Sequence, residues 1–283
     1  MSSIAPLPDR SRPIGGRLRS AVLPVFTGLV VAYLFLPIVV MAVFGFNDIQ
    51  GRFNFAWQGF TLDHWGNVFS RYPALNQALL NSLTVAVIST TVATVLGTLI
   101  GLALTRYDFR GRGPLNLLIF LPIATPEIVL GASLLALFVS IATPLGLPTI
   151  VIAHIMFNVS FVVVTVRARI AGFDRALEEA AMDLGADEWT TFRKITLPLI
   201  FPGILAAALL AFALSIDDFV ITQFTSGQTL TFPLWVYGAS RIGVPPQVNV
   251  MGTIIFLIAL VGIVLWILLQ RRDLAARPTR VDR

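Results

Sequence analysis

The sequence predicts an all-α membrane protein. Three observations carry that prediction. Long apolar runs recur six times along the 283 residues; 56% of residues are hydrophobic and only 12% charged; and the basic residues cluster in alternate connecting segments. An average soluble domain carries about 25% charged residues. A soluble globule of this length has too little interior to hide so much apolar surface, whereas a bilayer supplies the missing apolar solvent.

The runs are Ala21–Phe46, Gln77–Leu104, Leu115–Ile141, Pro148–Val166, Pro198–Ile216 and Val248–Gln270. Each is near or above the ~20 residues that cross a hydrocarbon core as a helix. Unbroken apolar runs read as helices, because barrel strands alternate over about ten residues and no other open structure satisfies its backbone in lipid. The first run follows Arg10, Arg12, Arg17 and Arg19 as a signal peptide would. It is too long for one, and no small-residue cleavage site follows promptly, so it reads as a retained helix.

Charge sets the orientation. With the N-terminus inside and six crossings, the inner segments hold all of the 20 Lys and Arg residues except Arg52, Arg71 and Arg241. The positive-inside rule then puts both termini in the cytoplasm. The expected layout is a cytoplasmic tail at 1–20, a transmembrane domain at 21–270 and a second cytoplasmic tail at 271–283. Two outer connections are long. One, 47–76, is rich in aromatics (Phe53, Phe55, Trp57, Phe60, Trp65, Phe69, Tyr72), which either anchor helix ends at the interface or form a docking surface for an external partner. The other, 217–247, carries Gly227, Pro233, Gly238, Gly243, Pro245 and Pro246, and is expected to be partly re-entrant or a short amphipathic segment.

Several function classes drop out. The absence of cysteine excludes disulfides, thiolate metal sites and cysteine nucleophiles. With His64 and His154 the only histidines, a histidine metal site within the chain is not expected, and no cofactor is. The basic residues are explained by topology rather than by nucleic-acid binding. The sole lysine, Lys194, sits in Phe192-Arg193-Lys194-Ile195, not in the Gly-Lys-Ser/Thr step of a phosphate-binding loop. Any ATP must therefore be bound by a partner.

Polar residues in the spans narrow the candidates. Glu127 is the only charged residue within any of the runs. Counting 1.5 Å per residue puts it near mid-membrane, where an unpaired carboxylate costs several kcal/mol. Pro126 before it points to a kinked or opened helix. Glu127 is either a pathway residue that meets a cationic solute or a structural carboxylate at the kink. Asp217 and Asp218 close the fifth run on the outer side, where they either attract an amine or form a solvated helix end; the helix dipole opposes carboxylates there. His154 is expected to be neutral and bonded to a neighbouring helix. Asn81 and Asn158 are expected to make interhelical bonds, and Gly97 and Gly101 to form a small-residue packing face.

The inner connection at about 167–197 is the most informative. Its physics gives two short helices around a turn. Asp174 caps the first, along which Leu177, Ala181 and Leu184 recur at helical spacing. Gly185 stops it. Asp187 caps a second helix over 189–195, and Pro198 opens the fifth span. The Ala180–Ala181 pair leaves a face flat enough for another protein.

These residues carry a resemblance. Glu179-Ala180-Ala181, three residues, Gly185, nine residues, Ile195, one residue, then Leu197-Pro198 resembles the EAA loop of ABC-importer permeases. The strings Phe60-Thr61-Leu62, Asn81-Ser82-Leu83, 103–107, Pro126-Glu127-Ile128-Val129 and 215–220 are similar to the spermidine/putrescine branch of those permeases, second-permease type. The resemblance implies a type I importer fold whose loop docks on an ATPase through Glu179, Ala180, Ala181, Gly185, Ile195, Leu197 and Pro198. It implies as partners a second homologous permease, two cytoplasmic ATPase subunits and an extracytoplasmic solute-binding protein, in a bacterial cytoplasmic membrane. The solute expected is a polyamine, met along the path by Glu127, Asp217 and Asp218. Relatives of this look also serve aminoethylphosphonate and GABA. An ion-coupled secondary transporter is the rival class, against which the EAA loop speaks.

Overall fold

The computed structural model describes residues 14–275. Arg10, Arg12, Arg277, Arg280 and Arg283, on which part of the orientation reading rests, lie outside the described residues. Those described form twelve α-helices: α1 (Ile14–Phe44), α2 (Asp63–Gly66), α3 (Pro73–Arg106), α4 (Arg112–Ala124), α5 (Glu127–Ser140), α6 (Leu147–Ala171), α7 (Ala176–Asp183), α8 (Glu188–Thr191), α9 (Leu197–Asp217), α10 (Val220–Thr225), α11 (Phe232–Ile242) and α12 (Pro246–Ala275). A π-helical turn, Phe192–Thr196, joins α8 to α9. The only β pairing among them is an isolated bridge between Asn47 and Phe60.

Four segments are long and apolar enough to cross a membrane: Val22–Phe44, Pro73–Arg106, Leu147–Ala171 and Glu188–Asp217. The third expected span is not straight. α4 and α5 meet at a bend of 110°; at 13 and 14 residues each is about 20 Å long, short of a ~30 Å core. The pair is a broken span or a re-entrant loop. The cause is Pro126, which has no amide hydrogen and pushes Thr125 into extended backbone (ψ 134). Glu127 therefore stands at a bend, and counting helical rise from Leu115 does not give its depth. The sixth run forms α12, whose apolar part among the described residues is Pro246–Gly262.

The chain divides into two compact units, residues 1–68 with 243–283, and residues 69–242. In the first, α1 packs on α12, with Phe35 edge-on to Phe256 at 6.1 Å. The connection after α1 is ordered by one buried amide. Asn47 Nδ2 donates to Asn54 Oδ1 (2.6 Å) and to the Ala56 carbonyl (2.7 Å), while its Oδ1 accepts from the Gln58 amide (2.7 Å). Asn54 in turn donates to the Phe44 carbonyl at 2.8 Å, satisfying an acceptor that the end of α1 leaves open. Phe46 stacks between Phe60 and Trp65. Phe55 and Trp57 remain exposed.

The second unit is built on α3, α6 and α9, whose buried faces supply Ala93, Leu102, Val162, Val166, Ile200 and Ala207. The expected glycine face packs as predicted. A Cβ at Gly97 would stand 2.6 Å from Val162 Cγ1, so α3 and α6 approach this closely only because that position lacks a side chain; one at Gly101 would make an ordinary contact, 3.5 Å from Val166 Cγ1. Asn81 bonds the Leu230 carbonyl at 2.8 Å. Asn158 departs from expectation. It is fully buried on α6, yet neither amide atom has a partner among the described residues; burial and helical face were legible, the absence of a facing polar group was not.

Candidate functional site

Two regions of the second unit bring the candidate residues together. The first is the connection between α6 and α9. Asp174 Oδ1 accepts from the Ala176 amide at 3.0 Å, and Asp187 Oδ1 from the Thr190 amide at 3.1 Å, so both expected caps are present. The hydrogen bonds to Thr190 hold the Asp187 carboxyl below its ordinary range. α7 ends at Gly185, whose φ of +87 is left-handed. The Gly185 amide donates to the Met182 carbonyl (2.9 Å) and the Ala186 amide to the Ala181 carbonyl (3.1 Å), the paired closure of a Schellman turn.

The helix so bounded buries none of its residues. Leu184 is 91% exposed and Trp189 65%, with Leu177 and Met182 also open. Glu179 and Ala180 are exposed and Ala181 is half-buried beside them. Ile195 and Leu197 are half-buried, and Pro198 is exposed. Pro198 stands in the first turn of α9 as expected, although helix continues upstream without a break to Glu188. Proline at 198 cannot donate to the carbonyl four residues back and its ring crowds it. The turn just before it widens instead, with the Leu197 amide bonding Phe192 five residues back.

Sequence reasoning singled out Glu179 and missed its neighbour. Glu178 pairs with Arg106 at the end of α3 and also accepts from Thr196 Oγ1 in the π turn, while Arg175 donates to the Thr105 carbonyl at 3.2 Å. The exposed segment is thus tied to the end of α3 and to the π turn before α9 through charged side chains. Its partners lie 72 and 18 positions away, so no local pattern reveals them.

The second region is where α9 breaks. Asp218 is extended (ψ 124) and caps α10. Its Oδ2 accepts from the Thr222 amide (2.8 Å) and hydroxyl (2.7 Å), and its Oδ1 from the Ile221 amide (3.4 Å). His154 Nε2 lies 2.9 Å from Thr222 Oγ1 and 3.3 Å from Asp218 Oδ2. On its other side, Nδ1 lies 2.7 Å from Ser215 Oγ, itself 3.1 Å from Ser89 Oγ. A neutral imidazole protonated on Nε2 satisfies this chain. His154 therefore bonds neighbouring helices, as expected. Asp217, one residue earlier, is exposed.

A cavity of about 540 Å³ lies between the starts of α5 and α10 and the face of α11, lined by Ile128, Phe219, Gln223, Phe224, Tyr237 and Arg241 among others. Glu127, exposed at the first position of α5, directly precedes Ile128, and Asp218 directly precedes Phe219. The three carboxylates read from the sequence thus stand at the two helix breaks beside this cavity, but none of them lines it. The Phe219 and Tyr237 rings are 4.6 Å apart. No carboxylate or histidine cluster able to hold a metal occurs among the described residues.

An exposed connection between α6 and α9, broken helices and several apolar spans fit a multi-pass membrane protein. The chain belongs to the family of binding-protein-dependent transport system inner membrane components, whose model matches residues 93–272. It is 42% identical over 240 residues to the spermidine/putrescine transport system permease protein PotC of Escherichia coli (84% of this chain, 90% of that one). It is 37% identical over 250 residues to the putrescine transport system permease protein PotI of the same organism (85% and 88%). Its fold matches a chain of a bacterial ABC transporter involved in alginate import with a TM-score of 0.62 at 18% identity, covering 94% of this chain and 99% of that one.

Proposed function

We propose that this chain is one of two permease subunits of an ATP-driven importer that moves a small polyamine, spermidine or putrescine, across the bacterial cytoplasmic membrane. The observation that carries the reading is the 42% identity to a spermidine/putrescine permease along nine tenths of that protein's length. In this reading a second, homologous permease completes the path, two cytoplasmic ATPase subunits bind the nucleotide, and an extracytoplasmic binding protein delivers the solute. Both termini are cytoplasmic, which the charge distribution supports.

The chain's own residues would then act in two places. The exposed face of Glu179, Ala180, Ala181 and Leu184 docks on an ATPase subunit, and Gly185, Ile195, Leu197 and Pro198 shape the segment that presents it. Closure of the ATPase pair draws the segment inward; the ties from Glu178 to Arg106 and Thr196 pass that motion to α3 and α9, opening the path outward. Along the path, Glu127 and Asp217 offer exposed carboxylates that replace part of an ammonium's hydration, while Asp218 fixes the α9–α10 break beside them. The sites stay weak so that the solute leaves.

Uptake of radiolabelled putrescine and spermidine into proteoliposomes holding all subunits tests this. Both should be carried, and Glu127→Gln should reduce uptake without loss of assembled complex. Transport of aminoethylphosphonate or GABA in place of either polyamine would overturn the substrate.

A further inference from the structure

Arg241 is one of only three basic residues that the charge pattern assigns to the outer face, and the structure gives it a specific seat. Its guanidinium carbon lies 4.6 Å from the centroid of the Tyr237 ring, and its Nη2 donates to the Tyr237 hydroxyl. Both residues line the cavity framed by the two helix breaks, and Phe219 packs against the same tyrosine at 4.6 Å.

We propose that the Tyr237 face is an amine-binding position on the solute's route, and that Arg241 occupies it as an internal competitor that the solute displaces. This rests on the polyamine reading above. The chemistry is symmetric. A guanidinium and an alkylammonium are drawn to the same negative ring face, so a site that holds one can hold the other. Arg241 sits one helical turn beyond Tyr237 on α11, within reach without any backbone movement. Its long, exposed side chain can swing into solvent and leave the ring, Phe219 and Gln223 to the incoming ammonium, with Glu127 at the start of α5 beyond. Competition keeps the site weak: the empty ring is never bare, and an amine that leaves is replaced by the arginine. The arrangement also excludes solutes without a cationic group, which gain nothing from the ring and do not displace Arg241.

The test uses the complete transporter in nanodiscs, without the binding protein, and measures equilibrium binding of radiolabelled putrescine and spermidine. Arg241→Gln removes the competing charge at similar length and should tighten binding about two- to fivefold, the factor that a partly exposed cation–π contact represents. Tyr237→Leu should weaken binding in the wild-type background and abolish the gain from Arg241→Gln in the double variant. ATPase activity of each preparation reports assembly. Unchanged or weaker binding by Arg241→Gln, in a complex whose wild type carries polyamine, overturns this proposal alone. An equal gain with and without Tyr237 reduces Arg241 to a general repulsive charge and overturns the ring site. A wild-type complex that carries no polyamine overturns the substrate reading, and this proposal with it.

Discussion

Replacing Gly185 by valine isolates the proposed coupling segment's dependence on one backbone angle. At φ +87 an L-residue is in the left-handed region, at a cost of about 1–2 kcal/mol, with β-branched side chains at the upper end. No atom lies within 4 Å of a Cβ built there, so no internal clash adds to that figure. α7 has eight residues, none buried, hence little packing to resist the strain. The cheapest relief is to open the two hydrogen bonds that close the turn and unwind the last turn of α7. One to two kcal/mol corresponds to a factor of 5–30 in a two-state ratio, so uptake should fall about tenfold while the amount of protein in the membrane holds. Asparagine tolerates this conformation, so Gly185→Asn should keep most activity and Gly185→Ala fall between. Uptake in whole vesicles, normalised to membrane protein, with co-purification of the ATPase subunits, reads both effects. Equal uptake by the Val, Ala and Asn variants and the wild type would refute the argument.

Three further outcomes are expected. Gly97→Leu should lower the thermal stability of the purified complex and the yield of folded protein, because its Cβ alone would stand 2.6 Å from Val162; a melting temperature unchanged in a thermal shift assay would refute the close α3–α6 approach. Glu178→Gln should leave ATPase binding largely intact but lower uptake several-fold, since the Arg106 tie, part-buried at 24% and 13% exposure, is in the range of about 1 kcal/mol once screened; a loss of ATPase binding equal to the loss of uptake would contradict that division. His154→Ala should reduce stability more than Glu127→Gln does, because it removes the buried ring that bridges Ser215 and Thr222, at about 1 kcal/mol for each bond lost, whereas Glu127 is exposed. Equal melting temperatures for the two variants would show that the network contributes little.

The features legible in the sequence were those set by local rules. Apolar runs located the long helices; proline at 126 located the broken one; Asp174, Asp187 and Gly185 announced their caps and stop because the bonding partners lie within five residues. Two local inferences needed the fold to complete them. Pro198 stands in the first turn of α9 as its context suggests, and a wide turn over 192–196 absorbs its missing donor so that helix continues upstream. The bend that Pro126 announced is 110°, so a helical count along the third run does not give the depth of Glu127. Contacts between distant segments were not legible at all. His154 meets Ser215 and Thr222 from 61 and 68 positions away, and Arg106 meets Glu178 from 72; no periodicity within α6 or α3 encodes those partners. The cavity was half legible. The carboxylates at the helix breaks beside it stood out as charges at the ends or inside apolar runs, and Tyr237 with Arg241 shows the four-residue spacing of a helix face, but only the fold sets the ring beside Phe219.

The central claim is that this chain moves its solute with energy from ATP hydrolysed by a partner. Proteoliposomes containing this chain, the second permease and the ATPase subunits, supplied with loaded binding protein outside, should accumulate spermidine when ATP is enclosed and no ion gradient is present. Accumulation should stop when ATP is withdrawn while an imposed proton or sodium gradient is maintained. Uptake that follows the gradient and ignores ATP would contradict the account and make the chain an ion-coupled carrier.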